Sequence, residues 1–301
     1  MRKTKIAFVG SGMIGGGLAV NALLNDYPTV IYDVAEPEKV EKTIQNVVQI
    51  MVSAGAFSEE RGNELLKNAS YTDDLKEAIK DVGFIQECVP EKIELKRSVY
   101  RQIQEVRGNE VLIASSTSAT MPSVLQESAL YPETILVGHP YHPSYLLPLI
   151  EVCGGKKTSE ESIEKAMEIY GGMGKVPVRC RKETPGFLVN RLSWAAMDIA
   201  KEAVMEGICT VEDIDKAIMY GPGMRMAVTG QILTLSLGVQ GGLRAVAEKY
   251  GKEPEESDII CADGVEAEIS NRPEDRGNTV ERVERFRDKM FVAMLKEQGL
   301  L

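Results

Sequence analysis

The sequence contains two histidines, His139 and His142, and both lie in the segment Gly-His-Pro-Tyr-His-Pro over residues 138–143. Histidine accepts and returns a proton near neutral pH more readily than other side chains. Glu151 follows His139 by twelve residues, inside an apolar run that is typical of a strand. A carboxylate in that place can hold an imidazole in one orientation and stabilise its protonated form. The spacing therefore predicts a catalytic pair in which His139 is the general base and Glu151 orients it.

Three other interpretations of this segment stay open at the level of sequence. The pattern His-x-x-His supplies two ligands for zinc, although no obvious cysteine or further histidine completes a site. His139 is alternatively a loop residue whose ring nitrogens are satisfied without any chemistry. Glu151, taken alone, is alternatively a surface carboxylate, which is the usual location of that residue type. No metal is predicted.

A second pattern that carries chemistry lies near the start of the chain. The motif G-x-G-x-x-G is formed by Gly10, Ser11, Gly12, Met13, Ile14 and Gly15. It follows an apolar strand and begins a helix, which is the context that a dinucleotide-binding turn requires. In such a turn Gly10 permits the tight bend, Gly12 leaves room for the pyrophosphate, and Gly15 lets helix and strand pack closely. The alternative is a structural turn without cofactor.

The type of dinucleotide is indicated by Asp33, which ends the next predicted strand 18 residues after Gly15. A carboxylate in this position hydrogen-bonds the hydroxyl groups of the adenine ribose. It also repels a 2′-phosphate, and the first cationic residue that follows is Lys39. The predicted cofactor is therefore NAD rather than NADP.

The elements that position these residues alternate between strand and helix over residues 1–184. Strand-like runs lie at 5–9, 29–32, 83–89, 111–114, 134–138 and 149–153, and helical stretches at 13–24, 38–54, 92–106 and 160–170. Alternation of this kind predicts a parallel sheet covered by helices on both faces. The first domain is thus predicted to be an α/β domain with a doubly wound parallel sheet of the Rossmann type.

The pattern changes at Thr184-Pro185-Gly186, where proline disfavours a helix at Thr184 and glycine allows a turn. Helical segments follow at 187–205, 211–219, 230–250 and 279–295, and residues 253–263 are the most loop-like interior stretch. No convincing strand follows residue 184. The sequence therefore predicts a smaller all-helical domain over residues 185–301.

Composition restricts the function classes. The formal net charge is −10, whereas nucleic acids and anionic membranes favour basic surfaces. The five cysteines are scattered and odd in number, which favours a reducing compartment. No apolar run is long enough for a signal-peptide core or a membrane span. We expect a cytoplasmic protein that binds a small molecule, with neither nucleic acid nor membrane as partner.

Several stretches together resemble the L-3-hydroxyacyl-CoA dehydrogenase superfamily. They are residues 10–15, 87–91, 115–118, 138–143 and 185–191, and they occur in the order of the family. The resemblance implies that His139 is the base and that Glu151 orients it. It implies further that Ser118 and Asn190 hydrogen-bond the substrate oxygen or a catalytic water network, and that Glu91 and Lys96 contact the nicotinamide ribose.

Plain alternatives accompany three of these inferred roles. Ser118 alternatively satisfies a local turn, because serine commonly hydrogen-bonds nearby backbone N–H groups. Glu91 and Lys96 are alternatively solvated charges at the start of a helix. The resemblance also implies a homodimer that is built by the helical domain.

Within the superfamily, Gly223-Met224-Arg225 is most similar to the branch of L-carnitine and L-gulonate dehydrogenases and lambda-crystallin. Arg225 can clamp a carboxylate through two parallel hydrogen bonds, or alternatively form a salt bridge. His142, beside the expected cofactor and substrate, departs from the asparagine that is usual in relatives. Trp194 and two tyrosines are candidate aromatic faces for a quaternary ammonium, although helix packing is favoured for Trp194.

The sequence thus predicts an NAD-dependent dehydrogenase of a small L-3-hydroxy carboxylate, such as one like L-carnitine. A short-chain 3-hydroxybutyryl-CoA dehydrogenase is the alternative within the same class. A catalytically silent NAD-binding structural protein of the lambda-crystallin type is the alternative from another class.

Overall fold

The six apolar runs of the first part of the chain and two further strands form one eight-stranded sheet. The computed structural model describes residues 3–249 and 251–301. The strands are Ile6–Val9 (β1), Thr29–Tyr32 (β2), Ala69–Thr72 (β3), Phe84–Glu87 (β4), Leu112–Ser115 (β5), Ile135–Pro140 (β6), Leu149–Gly154 (β7) and Val176–Cys180 (β8). Their order across the sheet is β3-β2-β1-β4-β5-β6-β7-β8. The order reverses between β1 and β4, which is where open α/β sheets bind ligands.

Helices cover both faces of this sheet. They are Met13–Leu24 (α1), Pro37–Ser53 (α2), Glu59–Lys67 (α3), Leu75–Ile79 (α4), Ile93–Arg107 (α5), Pro122–Leu125 (α6) and Glu160–Gly172 (α7). Successive side chains of a strand point to opposite faces. Ile6 and Phe8 of β1 accordingly join a core with residues of α1, α2 and α7, while Ala7 and Val9 join a second core with residues of α5. The prediction of a doubly wound sheet is confirmed.

The predicted parallel sheet has one antiparallel pairing, between β6 and β7. β7 runs antiparallel to β6, and β8 runs parallel to β7. Residues 141–148 join β6 to β7 without a helix, and a connection this short cannot carry the chain back for a parallel pairing. β3 and β8 were not predicted at all. Both are edge strands, and β8 contains Pro177, which an edge strand tolerates.

The chain divides into two compact units after Ala195. The remaining helices are Val189–Met205 (α8), Val211–Ile218 (α9), Met224–Thr229 (α10), Gln231–Leu237 (α11), Arg244–Lys249 (α12), Glu256–Asn271 (α13) and Val280–Glu297 (α14). The second unit has a small core of Leu233, Leu243, Ala262, Val265, Ile269 and Val283. Within the described residues no strand follows β8, so the prediction of a helical second part is confirmed.

Two details of the helical part differ from the prediction. The loop expected over 253–263 is wrong, because α13 begins at Glu256 and is capped by reciprocal hydrogen bonds between Glu255 and Asp258. The single helix expected over 230–250 is interrupted between α11 and α12, where Gly241 and Gly242 have positive φ. Its predicted last residue, Tyr250, lies outside the described residues. No helix in the described ranges is long and apolar enough to cross a membrane.

Candidate active site

The glycine turn after β1 is built by close backbone packing. Gly10 has φ +107°, and a Cβ atom on it would lie 2.6 Å from the carbonyl oxygen of Cys88. A Cβ atom on Gly15 would lie 2.0 Å from the carbonyl oxygen of Gly10. Gly12 is different, because a Cβ atom there would have no protein atom within 4 Å. The space beside Gly12 is thus open on the side where the motif leaves room for a pyrophosphate.

The start of α1 is prepared for an anion. Its N-terminal residue, Met13, follows Gly12, and no side chain caps the helix or places an acid in its first turn. The first N–H groups of a helix have no partners within it, and they carry the positive end of the helix dipole. Met13 is exposed and Ile14 is half-buried. The turn and helix therefore fit the phosphates of a dinucleotide.

Asp33 lies directly after β2 and is held in place by its neighbours. Its Oδ2 accepts hydrogen bonds from the backbone N–H and the hydroxyl of Ser11, both at 2.7 Å, and its Oδ1 accepts one from the N–H of Ala35 at 3.2 Å. Burial acts to raise the pKa of Asp33, but these hydrogen bonds outweigh it and lower the pKa. The group is an ionised acceptor that suits ribose hydroxyls and opposes a 2′-phosphate. The residues present thus fit NAD.

His139 and Glu151 form a directly opposed pair of residues on the antiparallel strands β6 and β7. Nδ1 of His139 lies 2.7 Å from Oε2 of Glu151. The two residues are only 5% and 1% exposed, so little water competes for this hydrogen bond. Because the carboxylate accepts, Nδ1 carries the proton of the neutral imidazole and Nε2 remains as the proton acceptor.

The second oxygen of Glu151 has a role that the sequence did not indicate. Oε1 accepts hydrogen bonds from the backbone N–H groups of Leu188 at 2.7 Å and Val189 at 3.1 Å, at the start of α8. The residue before them, Phe187, is buried with φ +49°, and its ring centroid lies 5.5 Å from that of His139. One carboxylate therefore joins the imidazole to the beginning of α8, and Phe187 packs beside the same ring.

Ser118 and Asn190 are connected by one hydrogen bond. The side-chain amide nitrogen of Asn190, near the start of α8, donates to the backbone carbonyl oxygen of Ser118 at 3.3 Å. Ser118 itself is exposed, and the local turn is satisfied by Thr117, whose hydroxyl accepts from the N–H groups of Ala119 and Thr120. The alternative that Ser118 satisfies this turn was wrong. Its side chain is left facing solvent at the carboxyl edge of the sheet.

Lys96 lies in a buried network rather than in solvent. It is 1% exposed, and its Nζ lies 2.8 Å from Oε1 of Glu87 and 3.3 Å from Oε2 of Glu91. Glu87 also accepts from Tyr100 and Ser115. The interpretation of Lys96 as a solvated charge was wrong, and Glu87 was missed. Its signal in the sequence was an acid at the end of a strand that begins with the apolar residues Phe84 and Ile85.

Glu91 adjoins this network through its contact with Lys96. Its carboxylate accepts hydrogen bonds from the hydroxyls of Thr117 and Thr120 and contacts the ammonium of Lys96. Burial acts to raise the pKa of Glu91, but the hydrogen bonds and the charge of Lys96 lower it. Glu91 and Ser118 follow the neighbouring strands β4 and β5, so both lie at the edge of the sheet that carries the cofactor turn.

The remaining predicted site residues, His142 and Arg225, are both exposed. His142 is exposed in the loop after β6. Arg225 is exposed on α10 in the second unit, and it makes no ion pair with any side chain that the structure describes. It lines a cavity of about 170 Å³ together with Arg287, Asp288 and Phe291, among others. Among the described residues, no three His, Cys, Asp or Glu side chains converge as a metal site.

Sequence models of two protein domains match the chain. The one described as 3-hydroxyacyl-CoA dehydrogenase, NAD binding domain, matches residues 5–184. The one described as 3-hydroxyacyl-CoA dehydrogenase, C-terminal domain, matches residues 186–277. The first match contains the glycine turn, Asp33 and the His139–Glu151 pair, and the second begins at Gly186, just before α8.

Individual proteins are similar over nearly the full chain. The L-carnitine dehydrogenase of Pseudomonas syringae is 35% identical, covering 96% of this chain and 93% of its own length. The L-carnitine dehydrogenase of Oceanobacillus iheyensis is 34% identical, covering 97% of both chains. A solved 3-hydroxyacyl-CoA dehydrogenase of Archaeoglobus fulgidus superposes with a TM-score of 0.71 at 21% identity, covering 99% of this chain and 100% of its own. The last similarity concerns the fold.

Proposed function

Because the chain belongs to the 3-hydroxyacyl-CoA dehydrogenase family and is an NAD-dependent 3-hydroxy acid dehydrogenase, we propose that it oxidises the 3-hydroxyl group of a small free L-3-hydroxy carboxylate of the L-carnitine type. The observation that carries the chemistry is the buried contact of 2.7 Å between His139 and Glu151. The similarity to L-carnitine dehydrogenases over almost the whole chain supports a free acid rather than a CoA thioester. It also disfavours a catalytically silent protein.

The mechanism follows from the atoms that the pair leaves available. Nε2 of His139 accepts the proton of the substrate hydroxyl, and Glu151 stabilises the imidazolium that forms. NAD, when bound at the turn of Gly10–Gly15 and at Asp33, supplies the hydride acceptor. Asn190 and Ser118 are proposed to stabilise the substrate oxygen, and Glu91 to contact the nicotinamide ribose. Lys96 is proposed to act on that ribose indirectly, because its ion pair with Glu91 fixes the carboxylate that contacts the ribose.

We propose that Arg225 binds the substrate carboxylate. Its exposure and its lack of an ion pair within the described part of the chain support this role, because a guanidinium binds a carboxylate in a bidentate manner. Trp194 follows Asn190 by four residues on α8, so the two share one face of that helix. Its side chain is 53% exposed and is proposed as an aromatic face for a quaternary ammonium. His142 is proposed to contact the substrate from the loop that follows β6.

We also propose a homodimer in the cytoplasm, with residues 1–184 binding NAD and residues 185–301 serving substrate binding and dimerisation. α8 contains no buried residue, and Leu192 and Ile199, seven residues apart on one face of it, are exposed apolar side chains. An apolar helix face of this kind suits burial against a second copy.

The test is NAD reduction, followed by absorbance, with L-carnitine, L-gulonate, L-3-hydroxybutyrate and L-3-hydroxybutyryl-CoA at matched concentrations. We expect a clear preference for one free acid. Preference for the CoA thioester would overturn the substrate assignment. NADH binding without turnover of any of the four would instead favour a structural protein.

Arg225 is tested in the same assay with the preferred acid. Loss of a charge-assisted, bidentate hydrogen bond removes about 1.5–3 kcal/mol, so Arg225→Met should raise KM about 10- to 100-fold with little change in kcat. The matched control is Arg285→Met, because Arg285 is an exposed arginine of α14 that pairs with Glu281. An unchanged KM for Arg225→Met would remove Arg225 from the site.

A further inference from the structure

A buried lysine outside the predicted site carries a further inference. Lys175 lies between α7 and β8 and is only 6% exposed. It makes no ion pair with any side chain that the structure describes. Burial lowers its pKa to about 8. A buried ammonium group without a compensating carboxylate is unfavourable unless hydrogen bonds stabilise it.

Lys175 binds the loop that joins the two catalytic strands. Its Nζ donates hydrogen bonds to the backbone carbonyl oxygens of Ser144 and of Leu147, the latter at 3.0 Å. Both carbonyl groups belong to residues 141–148, which connect β6 with β7. The loop therefore begins just after His139 and ends just before Glu151. Lys175 thus holds the short connection between the two members of the catalytic pair.

The opposite side of this loop contacts the cofactor helix. The hydroxyl of Ser144 donates to the carbonyl oxygen of Ile14 at 3.1 Å, in the first turn of α1. The side-chain amide of Asn21 donates to the carbonyl oxygen of Tyr145 at 3.1 Å. The fit is close, since a Cβ atom on Gly17 would lie 2.3 Å from the Ser144 hydroxyl oxygen. The loop is thus fixed between Lys175 on one side and α1 on the other.

We propose that Lys175 is a positioning residue that sets the place of His139 relative to the cofactor-binding turn by fastening loop 141–148 onto α1. The inference rests on the proposed function of His139 as the base. Proton and hydride leave neighbouring substrate atoms, so His139 and the cofactor turn have to be aligned with each other. A displacement of about 1 Å at a catalytic group lowers the rate by about 100-fold.

The test replaces Lys175 by methionine, which has similar length but cannot donate a hydrogen bond. We expect kcat per NADH-binding site to fall by about 30- to 100-fold, while KM for NAD and for the hydroxy acid changes by less than about 3-fold. Binding sites are counted by titration of NADH fluorescence, so a loss of folded protein does not lower this number. The matched control is Lys165→Met, because Lys165 is an exposed lysine of α7.

Two further variants keep the proposal falsifiable if the methionine variant does not fold. Lys175→Arg retains the donors, and we expect its kcat to lie nearer the wild type. Lys175→Ala leaves space for an added primary amine, and ethylammonium should raise its kcat at least about 5-fold.

A kcat per site within 3-fold of wild type for Lys175→Met, or no rescue by ethylammonium, would overturn the proposal. Failure of the proposed function is distinguishable, because wild-type protein would then oxidise no hydroxy acid, or His139→Gln would turn over as fast as the wild type.

Discussion

Replacing Glu151 by glutamine exchanges one side-chain oxygen for an NH₂ group and leaves the size of the side chain nearly unchanged. The structure determines which way the amide must lie. Oε1 accepts from the N–H groups of Leu188 and Val189, so an NH₂ group there would face two donors. The oxygen therefore stays beside α8, and the NH₂ group faces Nδ1 of His139.

This orientation reverses the protonation of the imidazole. An NH₂ group donates, so Nδ1 has to accept, and the ring proton moves to Nε2, the atom that must accept the substrate proton. A catalytic histidine held in the wrong tautomer loses about 10⁴-fold in kcat in serine proteases. We expect a loss of about 10³- to 10⁴-fold here, equivalent to about 4–5.5 kcal/mol of transition-state stabilisation. NADH affinity should change by less than about 3-fold, because the glycine turn and Asp33 are untouched.

The assay combines steady-state NAD reduction with ¹⁵N NMR of the imidazole rings. The sequence has two histidines, so only two ring systems appear, and His139→Gln identifies the signal of His139. The wild type should show His139 protonated at Nδ1, and Glu151→Gln should show it protonated at Nε2. Glu161→Gln, at an exposed position in the first turn of α7, is the matched control. Wild-type turnover by Glu151→Gln, or an unchanged tautomer, would refute the reasoning.

Three further predictions concern the base, the cofactor and the buried network. His139→Gln should lower kcat at least about 10³-fold with NADH affinity retained, and equal turnover would contradict the role of base. Asp33→Ala removes the carboxylate that accepts hydrogen bonds from Ser11. The ratio of kcat/KM for NAD to kcat/KM for NADP should fall at least 10-fold, and an unchanged ratio would contradict the role of Asp33. Lys96→Met leaves the carboxylate of Glu87 buried and unpaired, and denaturant unfolding should show a loss of about 3–5 kcal/mol. Adding Glu87→Gln should recover part of that loss, and a loss below about 1 kcal/mol in the single variant would contradict the prediction.

The parts of the molecule that were predictable from sequence depend on local patterns. The turn of Gly10–Gly15 has a fixed spacing imposed by backbone packing, and its context of strand and helix is visible along the chain. The contact between His139 and Glu151 was predictable because one segment holds both histidines and the next apolar run contains a glutamate. The antiparallel pairing of β6 and β7, which places the two residues opposite each other, was not predicted.

What was missed depends on contacts between elements distant in sequence. Lys96 lies near the start of a helix whose other face is polar, and its burial follows from Glu87 on the neighbouring strand. Lys175 has no periodicity that marks it, since its partners are carbonyl groups of a loop. α13 was hidden by its acidic composition and Gly264, although it begins with a capping box that propensity alone does not reveal.

Glu151 reaches α8 through the main-chain N–H groups of Leu188 and Val189 and not through any side chain of that helix. Exchange of Trp194 for another residue therefore leaves the hydrogen bonds that orient His139 in place. In evolutionary terms, the helix can acquire new substrate contacts one substitution at a time while the proton acceptor keeps its orientation. Position 151 has less freedom, because its two carboxylate oxygens serve the base and the helix start at the same time. New hydroxy-acid specificities can thus arise on this scaffold without rebuilding its chemistry.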